Sequence, residues 1–399
     1  MREIKYLVLL LLLLSASIPS GAQQEALLIM KGKALSDAGR PDEAITILSD
    51  RMLLGSGFRA KLELGRAYLA SGQNDLALRS FSEAEELAPG SASIYLARYH
   101  AASGETEKAL QWLEKNIKSG FQRSEKEIMT DPEFSLLART PAWREFWKRT
   151  HYDETSMALT QAKYLTDLGR FDEAGDLAEK VGETAAKKYI KALILFKQGN
   201  YRGALSEIGN DFSSGEDQWS ARILKADCET ALGNHVAAAA TYSKMIDNGY
   251  TDPSILILRS RSYRKSGETD KALKDLEYFI DLYPGNKIAN SEAAGLYNAK
   301  GDYYRSLNLL SENIRNFPGE ASGYIERADI YLKSSSYTNA YADLSMSLDL
   351  DPGNAVAWLN MGISLVKMNR PEESCHFFRK AADLGSKQAT GYTEKYCGK

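Results

Sequence analysis

Residues 61–72 read Lys61-Leu-Glu-Leu-Gly65-Arg-Ala-Tyr68-Leu-Ala-Ser-Gly72, and Leu76-Ala77, Phe81, Ala84 and Pro89 follow. Small residues, large plugs and turn formers stand there at fixed offsets. The same arrangement returns along the chain. Counted from Phe58 as position 1, it begins again near residues 25, 90, 155, 185, 219, 253, 287, 321 and 355, and the last five intervals are each 34 residues. A self-similar period of this length predicts a stack of supersecondary units, each burying its apolar face against the next.

Position 8 reads Gly32, Gly65, Ala97, Ala162, Ala192, Ala226, Ser260, Ala294, Ala328 and Gly362. Position 20 reads Ala44, Ala77, Ala109, Ala174, Ala204, Ala238, Ala272, Ser306, Ala340 and Ser374. Where two helices cross closely, only side chains this small let the backbones approach. Around them stand Tyr68, Tyr263, Tyr297 and Tyr331 at position 11, and Phe81, Leu113, Tyr242, Leu276, Leu310, Leu344 and Phe378 at position 24. These are read as inter-helix core. Between units, Tyr283-Pro-Gly-Asn286, Phe317-Pro-Gly-Glu320 and Asp351-Pro-Gly-Asn354 end one helix and turn into the next. The period and these residues resemble the tetratricopeptide repeat consensus, and the resemblance covers nearly all of the chain after its first 22 residues. It implies an all-α fold, a right-handed α-solenoid of about ten helix-turn-helix repeats, each with a helix A and a helix B. Repeats 2 and 6 to 10 carry the pattern in full, whereas 1 and 3 to 5 rest mainly on positions 8 and 20.

Between the third and fourth repeats about thirty residues are extra, which places a helical insert near 121–153. Its Trp143, Phe146 and Trp147 form an apolar stripe at i, i+3, i+4 spacing. The stripe serves either to cap the third repeat or to dock a partner. The N-terminus is of another kind, with a basic Met1-Arg-Glu-Ile-Lys5, an apolar run from Tyr6 to Ala16, and small residues at Ser20 and Ala22. This is the pattern of a cleaved signal peptide, with the mature chain starting at Gln23. The run is too short to span a bilayer, which takes ~20 residues. The expected organisation is thus a signal peptide over 1–22, repeats 1–3 plus the insert over 23–152, and repeats 4–10 plus a capping tail helix over 153–399. Localisation is expected to be periplasmic or secreted, with no integral membrane span after cleavage.

The chain is 44% hydrophobic and 26% charged, enough for a substantial core. Its formal charge is −3; without Arg2, Lys5 and Glu3 it has 48 basic against 52 acidic residues. That balance offers no global attraction to nucleic acid. No catalytic signature appears: there is no His-Glu-x-x-His, Gly-x-Gly-x-x-Gly, Gly-x-x-x-x-Gly-Lys-Ser/Thr or Gly-x-Ser-x-Gly. Of the four histidines, His100 takes position 11 of repeat 3 and is expected in the core, while His151, His235 and His376 are scattered. No enzyme activity, cofactor or metal is expected. Cys375 and Cys397 lie on helix B of the last repeat and on a tail helix, 10 and 12 residues from the turn at Gly385. Two antiparallel helices bring them to similar height, so a disulfide is geometrically feasible, the alternative being two free thiols.

The family resemblance implies that helix A lines a concave groove through positions 2, 5, 9, 12 and 13. Position 9 then supplies Lys33, Arg66, Arg98 and Lys163, with Arg59 at position 2. Arg261, Arg264 and Lys265 follow in repeat 7, and Ile325, Leu332, Leu359, Ile363 and Val366 make repeats 9 and 10 apolar. An acidic peptide is expected in the N-terminal groove and an apolar segment in the C-terminal one. The leading functional expectation is an exported scaffold that binds a protein or peptide segment, in envelope assembly or secretion. A carrier or sensor of a small anionic ligand or polysaccharide, and a self-associating structural module, are the alternatives.

Overall fold

The computed structural model describes residues 21–50, 53, 57–209 and 217–398. All regular structure among them is helical. Repeat 1 comprises α1 (Gly21–Asp37) and α2 (Pro41–Leu48), repeat 2 α3 (Phe58–Ala70) and α4 (Asn74–Leu87), and repeat 3 α5 (Ser93–Ala102) and α6 (Thr106–Ile117). The insert holds α7 (Glu125–Met129), short 3-10 turns at Pro132–Phe134 and Leu137–Arg139, and α8 (Pro141–Phe146). Repeats 4 to 6 are α9 (Glu154–Asp167) and α10 (Phe171–Glu179), α11 (Ala185–Lys197) and α12 (Tyr201–Ile208), α13 (Asp217–Ala231) and α14 (His235–Asp247). Then come α15 (Ser254–Lys265) and α16 (Thr269–Leu282), α17 (Lys287–Ala299) and α18 (Tyr303–Asn316), α19 (Ala321–Lys333) and α20 (Tyr337–Leu350), α21 (Ala355–Lys367) and α22 (Pro371–Asp383), and the tail helix α23 (Lys387–Cys397). This is the expected all-α solenoid of tetratricopeptide-type hairpins. The run from Tyr6 to Ala16 lies outside the described residues, and Ala22 falls in the first turn of α1.

The chain forms two compact units, Met1–Ser266 and Gly267–Lys399. The boundary expected at 152/153 falls inside the first, so that unit contains the insert.

Close helix crossing is visible at the glycines of position 8. A Cβ on Gly32 would stand 2.4 Å from Leu48, one on Gly65 2.6 Å from Phe81, and one on Gly362 2.5 Å from Phe378. In each case the intruded residue is position 24 of the same repeat, so the glycine is the hole into which helix B sets its plug. All twenty residues at positions 8 and 20 are buried. A second constraint sits in every A–B turn. Position 15 has a left-handed backbone in all ten repeats, with φ between 73° and 83° at the eight glycines from Gly39 to Gly301, 61° at Ser335 and 59° at Asn369. That conformation strains residues with a Cβ, asparagine less than most.

Hairpins stack by laying helix B of one on helix A of the next, as α2 on α3, α10 on α11 and α12 on α13 in the first unit, and α18 on α19 and α20 on α21 in the second. The insert replaces this contact after repeat 3. Trp143, Phe134, Ile128 and Leu137 are buried with Leu113 and Ile117 of α6, and Phe146 and Trp147 pack against the same cluster. The aromatic stripe is therefore a cap on repeat 3. In the first unit α14 also packs on α1, bringing repeat 6 to repeat 1. In the second, Cys375 of α22 is bonded to Cys397 of α23, with Cα atoms 5.5 Å apart. Cys228 is buried and free.

Two outcomes follow from this packing. Gly65→Ala should lower stability by about 1–3 kcal/mol in urea unfolding, because overpacking against Phe81 outweighs the ~1 kcal/mol that alanine contributes to a helix; a higher midpoint would refute the close crossing. Ser335→Gly, which removes left-handed strain of about 1 kcal/mol, should raise the thermal midpoint. The bond from Cys375 to Cys397 should contribute about 3 kcal/mol for a loop of this size. Non-reducing mass spectrometry should find the intact chain two hydrogens lighter than after reductant, and reductant should lower the second unit's melting temperature.

Candidate functional site

In repeats 1 to 3, position 9 of helix A carries Lys33, Arg66 and Arg98, each half-buried. These side chains join one polar network. Arg66 on α3 donates to Glu63 one turn earlier at 2.7 Å, and lies 3.5 Å from Asp37 at the end of α1. Lys33 adds its field to the same carboxylate. Burial pushes the Glu63 carboxyl above its ordinary value, and Arg66 and Lys33 oppose that rise only in part. Next along the row, the Arg98 guanidinium lies 5.4 Å from the centre of the Tyr95 ring, which itself stacks on Phe81 at 5.2 Å. Arg98 donates from Nε and Nη2 to Asp131 Oδ2 at 2.8 and 2.7 Å. Asp131 comes from the insert, and its side chain is only 7% exposed.

The basic ladder legible in the sequence is thus an alternating one, Lys33, Glu63, Arg66 and Arg98 interleaved with Asp37, Tyr95 and Asp131. Its partner carboxylates were not among the expected site residues. Asp131 lies 33 residues from Arg98 and reaches it only because the insert folds back over repeat 3. Lys163 is exposed on α9 and stands outside this network.

Arg59 is placed elsewhere. Its guanidinium sits 4.5 Å from the Phe58 ring and 5.3 Å from the Trp219 ring, beside the contact between repeats 1 and 6. There it borders a cleft of about 320 Å³ shared by Glu25 and Ile29 of α1, Phe58 of α3, and Asp247 and Asn248 at the end of α14. A cation at a helix C-terminus also meets the negative end of the helix dipole. Arg59 therefore links α3 of repeat 2 to repeat 6. Arg261, Arg264 and Lys265 are exposed near the C-terminus of α15, and Arg261 feels the Tyr242 hydroxyl of α14. Beneath them Arg259, buried, donates to Ser243 Oγ at 3.2 Å.

The apolar row of the last repeats is already occupied. Leu359 is buried with Phe378, Ala381 and Ala389, and Ile363 and Val366 pack against that cluster together with Tyr392 and Tyr396 of the tail helix. Ile325 and Leu332 pack in the same way against Ala328, Leu344 and Met361. Helix α23, tied by Cys397, packs over Leu359, Ile363 and Val366, while Ile325 and Leu332 are taken up by the packing of repeat 9 on repeat 10. His100 is buried as expected, paired with Glu105. Among the described residues no group of three or more His, Cys, Asp and Glu is placed to hold a metal ion, and no helix is long and apolar enough to cross a membrane.

Several solved structures are similar in part. The crystal structure of MamA is 18% identical and covers 41% of this chain and 96% of its own, with a TM-score of 0.38. MamA 41-end from Desulfovibrio magneticus RS-1 is 16% identical, covering 40% and 90%, also at 0.38. YrrB, described as a TPR protein with an unusual peptide-binding site, is 14% identical over 49% and 97%, at 0.39. The family match is more extensive: the tetratricopeptide repeat model fits residues 29–92, 62–119, 189–253 and 257–321, more than half of the chain. Together with the left-handed turn at position 15 of every repeat, that match places the chain in the tetratricopeptide repeat family.

Proposed function

We propose that the protein is an exported scaffold that binds an extended, acidic segment of a partner protein along the helix-A row of repeats 1 to 3. Repeats of this family generally mediate protein–protein interaction. The observation that carries the reading is the Lys33, Arg66 and Arg98 row, one cation per repeat at the same position of helix A. Its two arginines differ in role. The Arg66 contact to Asp37 is long and exposed, and such a pair contributes about 0–1 kcal/mol, so a partner carboxylate can replace Asp37 at little cost. Arg98 is held by Asp131 through Nε and one terminal nitrogen, and it keeps its other N–H donors. Asp131 thus orients Arg98 rather than consuming it.

Export is supported by the basic, apolar and small-residue order of the first 22 residues and by the bond between Cys375 and Cys397, of a kind that persists in oxidising compartments. The protein recovered from its source should start at Gln23; recovery with Met1 intact would end the export reading.

The row is tested with a fluorescent Asp/Glu-rich peptide and the full mature chain. Anisotropy should show saturable binding that weakens with added salt. Arg66→Gln combined with Arg98→Gln should weaken it about tenfold or more, a loss of ~1.4 kcal/mol or above. Neutral substitutions are the right choice, since a glutamate at 98 would face the nearly buried Asp131 and disturb the insert. Equal affinity in the double variant would dismiss the row as the binding surface.

A further inference from the structure

The face of helix A that looks back along the array is normally covered. Clusters of buried residues show which positions form it. Ala60 and Ala67, positions 3 and 10 of repeat 2, are buried with Ala44 and Leu48 of α2. Ile190 and Ile194, positions 6 and 10 of repeat 5, are buried with Ala174 and Ala178 of α10. Leu224 and Cys228, the same two positions of repeat 6, are buried with Ala204 and Ile208 of α12. Positions 3, 6 and 10 are therefore the socket that receives helix B of the preceding repeat. The first repeat is not open either: α14 packs on α1, and Met30 and Ala34 are buried.

Repeat 4 differs. The insert precedes it, and Met157, Tyr164 and Leu168 of and just beyond α9 are 45%, 63% and 55% exposed. Position 10 is buried in eight of the ten repeats, half-buried at Tyr99 and open only at Tyr164. Thr160 and Gln161, at positions 6 and 7 between the apolar side chains, are exposed as well. Helix α9 thus carries an inter-repeat socket with no helix B in it.

We propose that this face docks an amphipathic helix of a partner protein, seated where helix B of a preceding repeat lies elsewhere in the chain. Three observations select that occupant. The socket has the residue spacing that every other repeat uses to receive a helix, so helix-in-groove packing is the geometry available. Its apolar side chains, Met157 and Tyr164 at positions 3 and 10 with Leu168 just beyond the helix, fall far short of the ~800 Å² per partner that a stable dimer buries, which suits one short helix and not a second copy of the chain. Glu154 and Lys163 border it, both exposed and without an ion pair among the described residues, nine positions or ~14 Å apart along the helix. A partner helix with a basic residue near one end of the contact and an acidic one about two and a half turns away matches both. The surface is separate from the helix-A row of repeats 1 to 3.

The probe is a labelled, stapled peptide of residues 106–118, the helix B that would precede α9 in an uninterrupted array, titrated into the full chain. Saturable anisotropy is expected. Tyr164→Lys and Met157→Lys should each weaken it about tenfold, while the Arg66→Gln/Arg98→Gln pair, which lies in the other surface, should leave it unchanged. Both sites are solvent-facing, and unchanged melting by circular dichroism confirms folding; Tyr164→Ser replaces any variant that fails that check. Absence of saturation, or binding indifferent to the changes at 157 and 164, overturns the proposal. So does a doubled mass in light scattering that Tyr164→Lys abolishes, since the occupant would then be a second copy.

Discussion

Everything in this chain depends on the approach of two backbones at position 8. Gly32, Gly65 and Gly362 leave space that Leu48, Phe81 and Phe378 fill, and a single added methyl group would overlap those side chains. Interiors packed near crystal density transmit such an overlap instead of absorbing it. The crossing sets the angle of each hairpin, the hairpin sets where its helix A points, and that direction decides which residues can form a row. The cations at position 9 of repeats 1 to 3 fall in one row because position 8 beside each of them is pinned against helix B.

The A–B turn supplies the second half of the geometry. A left-handed residue at position 15 reverses the chain in every repeat, and glycine provides it without strain in eight of them. Ser335 and Asn369 show that the turn is imposed by the packing on either side, since the backbone keeps the same conformation when a Cβ is present. Stability in such an array is close to a sum over hairpins and their nearest neighbours. The insert interrupts that sum after repeat 3: it satisfies the trailing face of α6 with Trp143, Phe134 and Ile128 and gives nothing equivalent to α9.

What the sequence shows plainly is what repeats locally. The small residues, the plugs and the period of 34 identify the hairpins, and His100 and the aromatic plugs are recognisable as core because their positions are set within one repeat. Contacts between distant parts are another matter. Arg98 looks like a free cation until the insert brings Asp131 to it, and Leu359 and Ile363 look available until α23 packs over them. Arg59 occupies a groove position by count, yet its neighbours are Phe58 and Trp219, because six hairpins and an insert bring α14 back to α1. The small rotation between hairpins that produces this meeting is not encoded in any one residue.

The same ruler explains why one repeat geometry yields two kinds of surface. Position 9 is half-buried at Lys33, Arg66 and Arg98, where polar side chains meet the charge, and is taken up by packing at Leu193 and Ile363. Positions 3, 6 and 10 face the neighbour, so wherever a neighbour exists their side chains are covered wholly or in part. A polar residue at the second surface needs a partner of its own, as Glu63 finds in Arg66 and Lys187 in Glu183. Only an interruption can expose the second kind. The insert creates that interruption, and a chain of uniform repeats could not have placed Tyr164 in solvent without also uncovering an end of the array.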